Sequence, residues 1–191
     1  MGNSCRRGTR RNDSLGYLWN SNASFDLKTA PFEHDMVLTR EEIRVLKQQW
    51  KSITANVTIR VFAYTLFERL FVVFPDTAKL LYVPETGDCI SSQQWKEHPS
   101  FALHVREVVT ALGTIVRLLD QPLKLKEFII SLEEFHRSLR GMKKYYVEEF
   151  IYIIDDTMAF NFGSQYTGDM KRAFRKVLTI LYFKMTYKLL V

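Results

Sequence analysis

From Phe101 to Val116 the sequence FALHVREVVTALGTIV sets His104, Val108, Ala111, Leu112 and Ile115 at i, i+4, i+7, i+8 and i+11. That interval puts all five on one stripe of a helix with 3.6 residues per turn. The interval returns in Ile43, Leu46, Trp50 and Ile53, in Phe67, Leu70, Phe71 and Phe74, and in Phe128, Ile129, Leu132, His136 and Leu139. A chain patterned in this way buries its apolar surface by packing helix on helix. Residues able to break the pattern are scarce: 8 glycines and 5 prolines stand in 191 residues, where average usage would give about 13 and 10. Few turns and long elements follow. The β-branched run FIYII suits a strand by itself, but its pattern continues from about Lys144 to Phe160 and no hairpin turn pairs it. There is no internal repeat. The expected fold class is all-α, with seven or eight helices.

Residues 1–37 are rich in Ser, Asn, Gly and Arg without sustained periodicity and read as a flexible extension; residues 38–191 read as one domain. The domain opens at Thr39-Arg40-Glu41-Glu42, which has the form of a capping box. A second helix is expected from about Val57 to Phe74, ended by Pro75 and Asp76, and a short helical turn from Pro75 to Tyr82. VPETGDCISSQQW reads as a loop, after which Pro99 or Ser100 starts the helix of the opening stripe, running to about Gln121-Pro122. Gly141 suits the end of the next helix, and NFGSQYTG separates the last two, about Lys144 to Phe160 and Asp169 to Leu190.

No run of 18 apolar residues occurs and the N-terminus lacks an apolar signal core, so neither a membrane span nor secretion is expected. Two cysteines do not make a disulfide framework; Cys89, in the loop, reads as inert. The net charge of +6 is scattered except for Arg6, Arg7, Arg10 and Arg11, and no nucleic-acid reading motif accompanies it.

The stripe carries an imidazole, His104, and a second inward-facing histidine, His136, follows 32 positions later. A core-facing imidazole needs a hydrogen-bond partner, a metal or a ligand. Three readings compete: two unrelated core histidines, a small metal site, or axial ligands of a haem. Zinc wants four ligands, and neither histidine has a Cys, His or carboxylate at a helical step to complete them. Haem needs only one or two axial imidazoles and an aromatic-lined slot. Candidates for that lining are Phe67, Phe71, Phe74, Phe101, Phe128, Phe135 and Tyr146.

The stretches LTREEIRVLKQQW, LFVVFPDTAKLL, HPSFALHVREVVTALGTIV and FHRSLRGMKKYYVEEF make the chain resemble a globin from about Leu38 to Leu190. The resemblance implies a globin fold around a haem pocket holding haem b, iron protoporphyrin IX. It implies His136 as the proximal iron ligand and His104 as the distal histidine and sixth ligand. Val108 would lie over the haem, Phe67 in the distal pocket and Leu132 on the proximal face. Where globins usually place a phenylalanine, six residues after the proline, stands Leu81 with Tyr82 beside it, and either packs on the haem. Glu107 stands where relatives often carry a basic residue for a propionate; Arg106 or Arg140 either substitutes or, the more common role for such residues, is a solvated surface charge.

The N-terminal MGNSCRRGTRR offers Gly2 for myristoylation, Cys5 for palmitoylation and four arginines for anionic lipid. The usual motif wants Ser or Thr where Arg6 stands. Two functional classes remain. The first is a bis-histidyl, membrane-tethered redox or gas-sensing protein at the cytoplasmic face of a membrane, meeting oxygen, nitric oxide or superoxide. The second is a pentacoordinate oxygen carrier. No dedicated catalytic site is read; nitric oxide dioxygenation or nitrite reduction would need a reductase partner. A haem-free helical interaction module is the third possibility.

Overall fold

In a computed structural model, which describes residues 37–56, 59–80 and 98–186, the long-helix pattern becomes six long helices and one single turn. They are α1 (Arg40–Asn56), α2 (Ile59–Val73), α3 (Thr77–Leu80), α4 (Pro99–Leu118), α5 (Pro122–Ser138), α6 (Lys144–Phe162) and α7 (Gly168–Thr186), with a 3-10 turn at Gly163–Gln165 before α7. There is no strand among the described residues. The FIYII run lies inside α6, because helical packing on both sides outweighs the strand preference of β-branched residues. Residues 1–36 of the extension, Leu81, Tyr82, Cys89, the Ile53 side chain and residues 187–191 fall outside the described set.

The helix boundaries follow local chemistry. At the start of α1 the Glu42 carboxylate accepts from the Thr39 N–H at 2.8 Å, and the Glu42 N–H donates to the Thr39 hydroxyl at 3.1 Å. This reciprocal pair satisfies two amides that the first turn leaves without partners. Pro99 and Pro122 sit in the first turns of α4 and α5, where a missing N–H costs nothing. The α5–α6 corner passes through Gly141 at φ 92°, a left-handed conformation, and a Cβ there would stand 3.4 Å from Leu80.

α6 packs between α2 and α7, α1 lies across α4 and α7, and α5 leans on α4 and α7. Phe62, Leu66, Phe101 and Phe174 are fully enclosed, with Trp50 stacked on Phe174 at 6.2 Å and Phe62 on Phe162 at 5.6 Å. Of the first helix's expected inner face, Leu46 and Trp50 are buried and Ile43 is half-buried. No helix among the described residues is long and apolar enough to cross a membrane.

Charges clamp the helices. Lys176 of α7 reaches Glu42 of α1 at 2.6 Å, Lys47 of α1 reaches Asp120 at 2.6 Å, and Arg69 of α2 pairs with Asp156 of α6. The deepest group is Asp155, buried in α6, which accepts from the Tyr166 hydroxyl at 2.7 Å and from two Arg175 nitrogens at 2.8 and 3.0 Å. Burial and the neighbouring carboxylate push the Tyr166 phenol far above its ordinary range, so it stays a donor. Arg175→Met would strip a buried carboxylate of its cation and should cost about 3 kcal/mol. Urea denaturation with helical ellipticity as the signal would register the loss.

Candidate functional site

His104 and His136 line one cavity between α4 and α5, a space of about 930 Å³ with its open mouth included. α4 contributes His104, Val108, Leu112 and Ile115; α5 contributes Leu132 and His136. Phe67 and Leu70 of α2 close one end, and Tyr146, Phe150 and Ile154 of α6 form the back wall. Apart from the two imidazoles the walls are almost wholly apolar.

His136 sits in the last turn of α5, with Nδ1 2.7 Å from the carbonyl oxygen of Leu132. A carbonyl only accepts, so Nδ1 carries the proton and Nε2 keeps its lone pair. Burial lowers the pKa of His136, partly offset by that hydrogen bond. On α4, His104 is driven down to about 4, first by burial and then by the charge of His136. The His104 side chain is 16% exposed and its Nδ1 stands 3.8 Å from Glu107, beyond hydrogen-bond reach. The ring of Phe67, itself packed edge-on against Phe101 at 5.3 Å, lies 5.4 Å from that of His104. At neutral pH both imidazoles are therefore neutral and able to act as ligands.

Among the described residues no group of three or more His, Cys, Asp and Glu could hold a metal ion. A bare ion would find two nitrogens and no carboxylate, too few for a four-ligand site. A flat macrocycle that brings four equatorial nitrogens of its own needs what is here: one or two imidazoles on apolar walls. The donor set and the cavity thus fit a haem.

The cavity brings together His104, His136, Val108, Phe67 and Leu132. Leu81, Tyr82, Gly2 and Cys5 lie outside the described residues. Of the seven candidate aromatics, Phe67 and Tyr146 line the cavity. Phe101 is fully buried, and Phe71, Phe74 and Phe128 pack on the core instead. Phe135 is 46% exposed: one residue before His136 it points about 100° away around the helix. Phe150 was missed, although Tyr146, Phe150 and Ile154 run at i, i+4 and i+8 and could have been found that way. Arg106 and Arg140 are exposed.

The depressed titration of His104 carries a stability signature in the haem-free protein. The unfolded imidazole takes up its proton near 6.5 and the folded one only near 4. Between those values the unfolded chain binds more protons, so stability is intact above the upper value and declines as pH falls towards the lower. The decline should reach about 3 kcal/mol. Urea midpoints measured from pH 7 to pH 4 should show it, and His104→Leu should flatten the slope.

Comparison with known proteins agrees with this geometry. The family model described as Globin matches residues 64–185. Cytoglobin-2 from Danio rerio is 23% identical over 161 residues, covering 84% of this chain and 88% of the relative. The crystal structure of a hexacoordinated heme protein from an anhydrobiotic tardigrade shares the fold, with a TM-score of 0.70 at 17% identity over 83% of this chain and 99% of that one. The matched segment contains both histidines and the walls between them, and the chain belongs to the globin family.

Proposed function

We propose that the protein binds haem b between His136 and His104, both serving as axial ligands, and acts at the cytoplasmic face of a membrane in electron transfer, redox signalling or gas sensing. Membership of the globin family implies haem and diatomic gas ligands. Bound there, haem supplies an iron that changes oxidation state by one electron and takes small gases.

The observation that carries the reading is the pair of neutral imidazoles on one apolar cavity. The Leu132 carbonyl fixes the His136 tautomer and ring orientation, so Nε2 is presented without rearrangement. His104 has no hydrogen bond to Glu107 at 3.8 Å, which leaves its ring free to turn its lone pair inward. A gas must then compete with His104, and its apparent affinity falls by the fraction of time that the imidazole is away. Such a site suits electron transfer or sensing better than oxygen storage. The tardigrade protein that shares the fold is described as hexacoordinated.

Absorption spectra of the ferric, dithionite-reduced and carbon monoxide-treated protein test this reading. Split low-spin bands are expected in the reduced protein and should disappear in His104→Leu. A single broad reduced band in both would instead support an open sixth position and reversible oxygen binding.

The membrane reading rests on Gly2, Cys5 and the four arginines that follow. One acyl chain gives marginal attachment; two chains with a basic cluster hold. Gly2→Ala should move the protein from the membrane fraction to the cytosol, and an unchanged distribution would refute tethering. Electrons would come from a reductase, which nitric oxide dioxygenation or nitrite reduction would also require.

A further inference from the structure

α5 ends at Ser138, two residues beyond His136. The Ser138 side chain is exposed, and its hydroxyl donates to the Phe135 carbonyl at 2.7 Å. That carbonyl belongs to the last turn, whose acceptors find no amide further along the helix. The next amide, that of Leu139, bonds to the His136 carbonyl instead, at 3.2 Å, which leaves the Phe135 carbonyl to the serine. Leu139 then leaves the helix at φ −73°, ψ 113°, and α6 begins only at Lys144. Arg137, Arg140 and Lys143 are exposed along this corner, and residues 137–144 hold four basic side chains and no acidic one.

We infer that Ser138 is a phosphorylation site for a serine kinase that selects basic residues on both sides of its target, and that the phosphate loosens the turn carrying His136 so that haem is released faster. The effect on haem rests on the haem reading above. An exposed hydroxyl at the point where a helix gives way to an exposed corner is within reach of a kinase cleft. Arg137 just before the serine and Arg140 two residues after it suit a cleft lined with carboxylates. In the transfer, the Ser138 Oγ gives its proton to a carboxylate of the kinase and bonds to the γ-phosphorus of ATP. The bond from that phosphorus to the oxygen it shares with the β-phosphate breaks, and ADP leaves. The Ser138 oxygen no longer has a proton to donate, so the Phe135 carbonyl loses its partner. The added negative charge stands at the C-terminal end of α5, where the helix dipole is already negative. Pairing with Arg137 or Arg140 takes place in solvent, where such pairs are weak, and returns no donor to the carbonyl. His136 lies in that last turn, so fraying there lets its ring leave the orientation that the Leu132 carbonyl sets.

The test incubates the folded full-length chain with such a kinase and ATP and locates the phosphate by peptide mass spectrometry, with a synthetic peptide of residues 131–145 as the control for sequence alone. Hydrogen exchange over residues 132–139 of the haem-free protein, and transfer of haem from the loaded protein to excess apomyoglobin, are then compared with and without the phosphate. The folded chain should be phosphorylated at Ser138, exchange over 132–139 should quicken, and haem transfer should speed up about tenfold. Ser138→Ala should take no phosphate at that position and, gaining no charge, should change both rates less than the phosphate does. A peptide that is phosphorylated while Ser138 of the folded chain is not would show the corner closed to kinases and overturn the site; a peptide and chain both left unmodified would overturn it equally. Phosphate on Ser138 with exchange and haem transfer unchanged would overturn the control of haem. A chain that is phosphorylated and exchanges faster yet takes up no haem fails the reading of the cavity, and the effect on haem with it, while the modification site stands.

Discussion

The hydrogen bond from Nδ1 of His136 to the Leu132 carbonyl fixes what the cavity can do. It spans one turn of α5, so it costs no long-range alignment, and it decides which ring nitrogen carries the proton. With that nitrogen committed to the backbone, the other keeps the free lone pair. Burial keeps the ring neutral, and its nearness to His104 makes simultaneous protonation of the two unfavourable. The site's chemistry is thus set by one local bond and by the burial of the two rings.

Holding two imidazoles across a cavity requires that the helices bearing them stay put, and charge does much of that work behind the apolar layer. Asp155 binds Tyr166 and Arg175 at the junction of α6 and α7, and Glu42 serves twice, capping α1 through Thr39 and accepting from Lys176. Lys176 and Arg175 are neighbours on α7, so a single stretch of that helix anchors both α1 and α6. Gly141 plays the matching part in the backbone, setting the corner that carries the chain from α5 past Leu80 to α6.

Most of this was legible in the sequence where a single period governed. The stripe of His104, Val108 and Leu112 and the stripe of Leu132 and His136 each led to the correct wall, because both helices turn one face to the cavity. Phe135 has the aromatic character of a lining residue, but its angular position beside His136 turns it towards solvent. α6 hid Phe150 for the opposite reason: buried on several sides, that helix has no single apolar stripe from which to pick the lining residues. The buried group around Asp155 had no sequence signal, since Tyr166 and Arg175 lie 11 and 20 residues away and meet it only after α7 has docked.

The bonds joining the first described helix to the last have a consequence for how the chain is made. Gln49 meets Thr167 across 118 residues, and Lys176 meets Glu42 across 134. During synthesis from the N-terminus, α1 waits through nearly the whole domain before its partner leaves the ribosome. Closing so long a loop is slow and costs entropy before any contact repays it. The contacts that tie α1 to α7 therefore form only after α7 itself has been synthesised.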